Sequence, residues 1–298
     1  MNRPLPAPAK INLYLRITRI RPDGMHELDT AFAYTDLCDL LTITPADRLQ
    51  TSCSQAHLSG DNNLVHKVLA AFQEKHGITQ GLSVHIEKHI PEQAGLGGGS
   101  SDAATALMAA NRLWGVHAGR TELIDFATPF GADIPCFLYG QASLAHGIGE
   151  RMQDYPQTLP DRALLLTRPA GGLSTAEVFG HFDASHHSDR TLTAPEALDT
   201  IRRDSPQLAD NKLADNELAN NDLEASACAL NPGLARLLQA LRRYSGQVWM
   251  SGSGSACVAL FEQQGEAIST AALLQQQQLA SWSHVGRIVR AHPMLETL

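Results

Sequence analysis

The stretch "IPEQAGLGGGSSDAATALMAANRLWG" (90–115) puts four glycines into the five positions 95–99, directly ahead of a run with helical character. Glycine loses more conformational freedom on folding than any other residue, so a cluster this dense needs a reason. One reason is close approach of a ligand to consecutive main-chain N–H groups, which can point inward as an anion nest. A helix N-terminus beside the loop adds unpaired N–H groups and a positive partial charge. Ahead of the loop, Leu82, Val84, Ile86 and Ile90 share one face and predict a strand. After it, Ser100 and Ser101 are expected to cap a helix that carries Asp102 in its first turn and stops at Gly115. Strand, glycine loop and helix together make a sound phosphate cradle; the competing reading is a flexible strand-to-helix connection.

Two common phosphate loops are excluded. A P-loop needs Lys and then Ser or Thr after its last Gly, whereas Gly99 is followed by Ser100 and Ser101; the dinucleotide fingerprint needs Gly where "GLGGGS" has Ser100. The charge that chemistry on a phosphate requires must then come from elsewhere in the chain. Lys10 in "PAKINLYL", His26, Asp133 in "GADIP" and the second Gly/Ser loop "SGSGSA" (251–256) are candidates, but singly each has a plainer role: an edge lysine, a surface histidine, a turn aspartate, a hairpin turn.

Around these points the chain alternates strand and helix signals without a βαβ repeat, which predicts an α+β fold. Ile11, Leu13, Leu15 and Ile17 alternate in a first strand, "RPDGMHE" (21–27) is a turn, and "CDLLTITPA" (38–46) is a second strand. "DNNLVHKVLAAFQEKHG" (61–77) is a helix ending at Gly77, and "RTELIDFATPFG" (120–131) is another with Thr121 as its cap. "GADIPCFLYG" and "ASLAHGIGERM" read as turns and a hairpin strand. "RALLLTRP" (162–169), the short helix "STAEVFGHF", the hairpin at 248–262, a helix at 266–282 and a strand at 284–292 complete the second half. A boundary is expected near 150–160, giving domains 1–155 and 156–298. The near-repeat "ADNKL", "ADNEL", "ANNDL" (209–223) is too short for a solenoid and reads as a surface expansion.

A chain of 298 residues with a net charge of −8 argues against a general nucleic-acid or anionic-membrane surface. Five scattered cysteines without a C-x-x-C pair fit a reducing compartment better than a disulfide framework or a structural zinc. No apolar run is long enough to cross a membrane, and "MNRPLPAPAK" lacks the apolar core of a secretory signal, so a cytoplasmic protein is expected.

Taken together, "PAKINLYL", "PEQAGLGGGSSDAA" and "MSGSGSACVALF" resemble the three ordered motifs of the GHMP kinases, the superfamily of galactokinase, homoserine kinase and mevalonate kinase. "APAKINLYLRITRIRPDGMHEL", "FGADIPCFLYG" and "HGIGE" are further similar to members whose substrate carries a cytidine diphosphate group. The resemblance runs from residue 8 to about 150 and resumes at 164–182 and 248–262. It implies two α+β domains with the active site in the cleft between them, and ATP as co-substrate with Mg²⁺. ATP phosphates would meet Pro91, Gly95, Leu96, Gly97, Gly98, Gly99, Ser100 and Ser101. Lys10 and Asp133 fall on the catalytic pair; Asn12, His26, Thr175 and Phe179 fall on substrate-contacting positions, with Phe179 stacking on the cytosine. The residue before His26 is commonly aromatic in such relatives and is Met25 here, whose thioether can also pack on a ring face. Asp102 would help hold Mg²⁺ or serve as a first-turn acid. A kinase of another small alcohol, or a sensor on the same fold, are the competing readings; the presence of both Lys10 and Asp133 weighs against the sensor.

Overall fold

The computed structural model describes residues 3–185 and 220–295. Its backbone is one ten-stranded sheet with helices packed against it, an α+β arrangement. The spine is a long antiparallel pair, β1 (Leu5–Ile20) and β2 (His26–Ala46), closed by the Pro-Asp-Gly turn. Gly24 sits at φ +83° there, and Asp23 Oδ1 accepts the Met25 N–H at 3.0 Å. The predicted strand at 38–46 is therefore only the far end of β2. The register of the pair shifts between Pro8 and Lys10, which lets a proline-bearing segment join the ladder.

Along its length β2 also pairs with three further strands: β4 (Gly81–Glu87), which carries β3 (Gln50–Cys53); β5 (Ser143–Gly147), which carries β6 (Arg151–Asp154); and β10 (Trp282–Val289). Through β10 the sheet runs on to β7 (Ala163–Arg168), β9 (Cys257–Phe261) and β8 (Gln247–Met250). The two expected domains thus share a sheet, and a core cluster containing Ile11, Leu13, Leu164, Trp249 and Val258 spans both halves.

Helix α1 (Leu64–His76) forms as its sequence predicts: Asn63 caps it by accepting the Val65 N–H, Gly77 ends it at φ +62°, and Val65, Val68, Leu69 and Phe72 are buried. Each such side chain contributes about 1.5–3 kcal/mol of burial. Helix α2 (Gly98–Leu113) packs on α1 and is buried along Ser101–Asn111, where five alanines allow close approach. Three local expectations change. The α2 N-cap is Gly97, so Ser100 and Ser101 are the third and fourth helical residues and cap nothing. Helix α3 (Arg120–Ala127) is capped by Gly119 rather than Thr121. "IPCFLY" is helix α4 (Ile134–Tyr139), not a turn: Pro135 is pre-organised for a first turn, Gly140 ends it at φ +81°, and Ile134–Leu138 are all buried, which erases any periodicity.

The second half adds α5 (Thr175–Ser185), α6 (Glu224–Leu230), α7 (Pro232–Leu241) and α8 (Gln264–Gln276), the last shorter than predicted because β10 begins at Trp282. Residues 209–219 of the near-repeat lie outside the described residues. Its remainder is not a surface feature: Leu223 is fully buried, and Asn221 donates to the carbonyls of Met250 and Gly252, each at 2.8 Å.

Candidate active site

The glycine loop lies over β1 and against the second Gly/Ser loop. Gly95 (φ +73°) has no room for a side chain, because a Cβ would stand 2.2 Å from the Ser251 carbonyl oxygen. Gly97 (φ +69°) is equally constrained, with the Phe137 ring and Lys10 Cγ at 3.0 and 3.1 Å from a Cβ there. Gly99 faces open space. Gly98 is close-packed as well, with Ile90 Cγ2 at 3.0 Å from a Cβ there, so of the four glycines only Gly99 is free of close neighbours. Gly98 and Gly99 open helix α2, whose first N–H groups have no partner within the helix. The "SGSGSA" loop is not a bare hairpin turn: Ser251 Oγ accepts the Asn12 N–H at 3.2 Å and donates to the Gly95 carbonyl at 3.1 Å.

A cavity of roughly 430 Å³ opens here. Pro91, Gly95–Ser100, Asp133 and Thr175 line it, as do Asn62–Leu64 at the start of α1. Ser101 is buried with its Oγ unpartnered and does not reach the cavity. Lys10 comes up from β1 below the loop, its N–H bonded to the Leu96 carbonyl at 3.0 Å. Its ammonium donates to Asn12 Oδ1 at 2.7 Å and stands 3.7 Å from Asp133 Oδ2. Lys10 is sealed, whereas the Asp133 side chain, at the N-cap of α4, is 39% exposed. The two residues, 123 positions apart, are brought together at the mouth of the loop. Asn12 is 2% exposed and committed within the protein: its amide nitrogen donates to Thr30 Oγ1 at 2.8 Å while its oxygen fixes Lys10.

At the other end, α5 carries Thr175, Phe179 and Asp183 at four-residue spacing on one face. Thr175 Oγ1 bonds Ser253 Oγ at 2.9 Å, bringing in the second loop again. His26 Nε2 bonds Asp183 Oδ1 at 2.8 Å, and the His26 and Phe179 rings meet with centroids 4.6 Å apart, which leaves no space for a third ring between them. Met25 is not part of this group. It is 46% exposed and lines a separate cavity of about 210 Å³ with Phe130, Pro135 and Glu150.

Beneath the loop is a cluster the sequence did not reveal. Lys88, just after β4, donates to Asp102 Oδ2 at 2.7 Å and to Asp39 Oδ2. Asp39 Oδ1 also accepts the N–H groups of His89 and Ile90, at 2.5 and 2.8 Å. Asp102 is therefore not a first-turn acid but a buried partner of Lys88 at the edge of the cavity. Burial pushes its carboxyl up to about 8, reinforced by Asp39 and opposed by the Lys88 charge. Burial alone would lower the Lys88 ammonium, but the two carboxylates outweigh it and hold it above the ordinary lysine value. The only sequence hint was the acid at position 102, expected in the first turn of the helix.

The fold and this loop define a class. Residues 63–141 match the family described as "GHMP kinases N terminal domain" and residues 197–276 the one described as "GHMP kinases C terminal". The chain is 33% identical to a 4-diphosphocytidyl-2-C-methyl-D-erythritol kinase of Alcanivorax borkumensis, over 100% of this chain and 94% of that protein. It is 36% identical to the protein of the same description from Cupriavidus metallidurans, over 98% and 94%. A crystal structure of 4-(cytidine 5'-diphospho)-2C-methyl-D-erythritol kinase superposes with a TM-score of 0.74 at 32% identity, covering 96% of this chain and 98% of that one. The chain belongs to the 4-diphosphocytidyl-2-C-methyl-D-erythritol kinase family of the GHMP kinases.

Proposed function

We propose that this chain transfers the γ-phosphoryl group of ATP to the 2-hydroxyl of 4-diphosphocytidyl-2-C-methyl-D-erythritol, a step of the non-mevalonate isoprenoid pathway. The observation that carries the reading is the Lys10–Asp133 pair, 3.7 Å apart at the open mouth of a loop built to hold phosphates. Asp133 accepts the proton of the substrate hydroxyl as its oxygen bonds the γ-phosphorus and the bond to the ADP oxygen breaks. Lys10, immobilised by Asn12, holds the Asp133 carboxylate and offsets charge building on the transferred group. Main-chain N–H groups of 95–99 and the start of α2 bind the phosphates. The acceptor is a tertiary alcohol, so placement supplies much of the rate.

The cytosine is read by the face of Phe179 and the edge of His26, with Asp183 orienting the imidazole. Thr175, tied to Ser253, lies on the same helix closer to the phosphates. Asp102 is engaged by Lys88, and among the described residues no three His, Cys, Asp or Glu side chains converge to hold a metal. The Mg²⁺ expected of a kinase would ride on the ATP phosphates, as this hard ion commonly does. All five cysteines are free, in keeping with the reducing compartment we propose, and no helix among the described residues is long and apolar enough to cross a membrane.

The test is ADP release in a coupled assay with the diphosphocytidyl substrate set against a panel of small alcohols, the product being assigned by phosphorus NMR. A new phosphomonoester on the 2-oxygen is expected. Faster turnover of another alcohol would refute the substrate assignment, and ATP binding without turnover of any would refute the kinase.

A further inference from the structure

The reaction uses Lys10 and Asp133 and leaves a second charged group unexplained. Lys88, Asp39 and Asp102 are almost wholly buried, with side-chain exposures of 5%, 0% and 4%. One ammonium between two carboxylates leaves an excess negative charge in a low-dielectric site, an arrangement that costs stability unless a proton neutralises it. The cluster touches the phosphate loop: Lys88 Nζ is 3.3 Å from where a side-chain carbon on Gly98 would stand, and Lys88 and Asp102 line the same cavity as Gly97–Ser100.

The two carboxylates differ in their commitments. Asp39 accepts three hydrogen bonds, from Lys88, His89 and Ile90, and ties the strand end to the loop. Asp102 accepts only from Lys88, and its Oδ1 has no partner although it is shielded from solvent. A proton on the cluster therefore has its open position on Asp102. The other titratable group facing it is Cys53 from β3, with Lys10 and Asp133 across the loop and His57 and Glu92 on the cavity rim; the His89 imidazole is bonded instead to the Cys38 carbonyl.

We propose that Asp102 couples nucleotide binding to a proton: a triphosphate on the glycine loop and an ionised carboxylate beneath it oppose each other, so the chain takes up a proton at Asp102 as ATP binds. The inference rests on the proposed use of the loop for ATP. Negative phosphates favour the neutral form of a nearby carboxyl, and by reciprocity the neutral form favours the phosphates. Burial already brings the group to about 8, so the coupling falls in the range where it changes charge. As pH rises through that value the free protein acquires the opposing charge, and ATP binding weakens. The uncharged isostere Asn keeps the acceptor for Lys88 and cannot titrate.

The experiment is calorimetric titration with magnesium and a non-hydrolysable ATP analogue at pH 8, in buffers of different ionisation heat. The expected uptake is roughly half a proton per site at that pH and close to none at pH 6, where the carboxyl is already neutral. The wild-type Kd should weaken by up to about tenfold between pH 7 and pH 9. In Asp102→Asn the uptake should vanish and the Kd should lose that slope, whereas Asp133→Asn should keep both. Uptake that persists in Asp102→Asn overturns the proposal, and so does wild-type binding at pH 8 without proton uptake, a result that needs no variant. A wild-type chain that does not bind the analogue at all would instead overturn the kinase reading, and the proton coupling would fall with it.

Discussion

Two lysine–carboxylate groups flank the same glycine loop, and they are built to opposite specifications. Lys10 has one carboxylate partner at 3.7 Å and one neutral partner, Asn12, at 2.7 Å, and its carboxylate reaches solvent. Lys88 has two carboxylate partners, both sealed, and one of them bonds backbone N–H groups as well. The first group can be approached by a hydroxyl; the second borders the cavity but is almost wholly buried. Residue type does not separate them. Access and the number of fixed partners do; under the proposed reaction the open side carries the chemistry and the sealed side supports the loop.

Breaking the open side should give the largest effect. Asp133→Asn removes the proton acceptor but keeps the shape, so kcat should fall by roughly 10²–10⁴-fold while ATP-analogue affinity is retained. Steady-state kinetics beside analogue titration checks this, and near-normal turnover would take the base role away from Asp133. Breaking the sealed side should act on folding instead. Lys88→Met strands two buried carboxylates and should cost about 3–5 kcal/mol in denaturant unfolding, the usual consequence of removing one partner from a buried ion pair. A loss below about 1 kcal/mol would mean that the cluster is wetter than its burial implies.

The contrast also explains what the sequence could and could not show. Elements with one buried face were legible: α1 from Val65, Val68, Leu69 and Phe72, and the hairpin β8–β9 from its Gly/Ser turn. Elements buried on every side were not, and α4 was mistaken for a turn because Ile134–Leu138 show no periodicity and both flanks carry glycine. The strand, glycine loop and helix follow one another as the sequence predicts, but the helix starts earlier because Gly98 and Gly99 are helical once Gly97 adopts φ +69°. Lys10 and Asp133 were nominated only through resemblance, since neither is distinctive alone; their meeting depends on β1, α4 and the loop packing together. Lys88 and Asp39 are 49 positions apart and carried no local signal. Ser251 and Ser253 looked like ordinary turn residues, and only the fold sets them against Gly95 and Thr175.

A substitution that touches neither charged group sharpens the comparison from outside. Phe179→Ala removes the stacking face but leaves Lys10, Asp133 and the loop intact. It should raise KM for the diphosphocytidyl substrate by about tenfold, within the 1–3 kcal/mol typical of a base–aromatic stack, and leave KM for ATP unchanged. Equal change in both constants would move Phe179 from recognition of the base to support of the cleft.

The smallest effect separates the sealed group's own energetics from its influence on ATP. Asp102 has a folded-state value of about 8 against an ordinary 3.8, so the folded chain binds this proton more tightly than the unfolded chain. A carboxyl raised in this way favours folding most at low pH. Its contribution declines as pH climbs from the unfolded value toward the folded one, and is constant above it. Asp102→Asn has no such term. The melting temperature of the wild type should therefore fall relative to Asp102→Asn between pH 6 and pH 8, by about 2–4 °C for each kcal/mol of difference, and the two profiles should run parallel above pH 9. Parallel profiles across the whole range would show that Lys88 keeps Asp102 ionised throughout. The open and sealed sides would then differ in access alone and not in protonation.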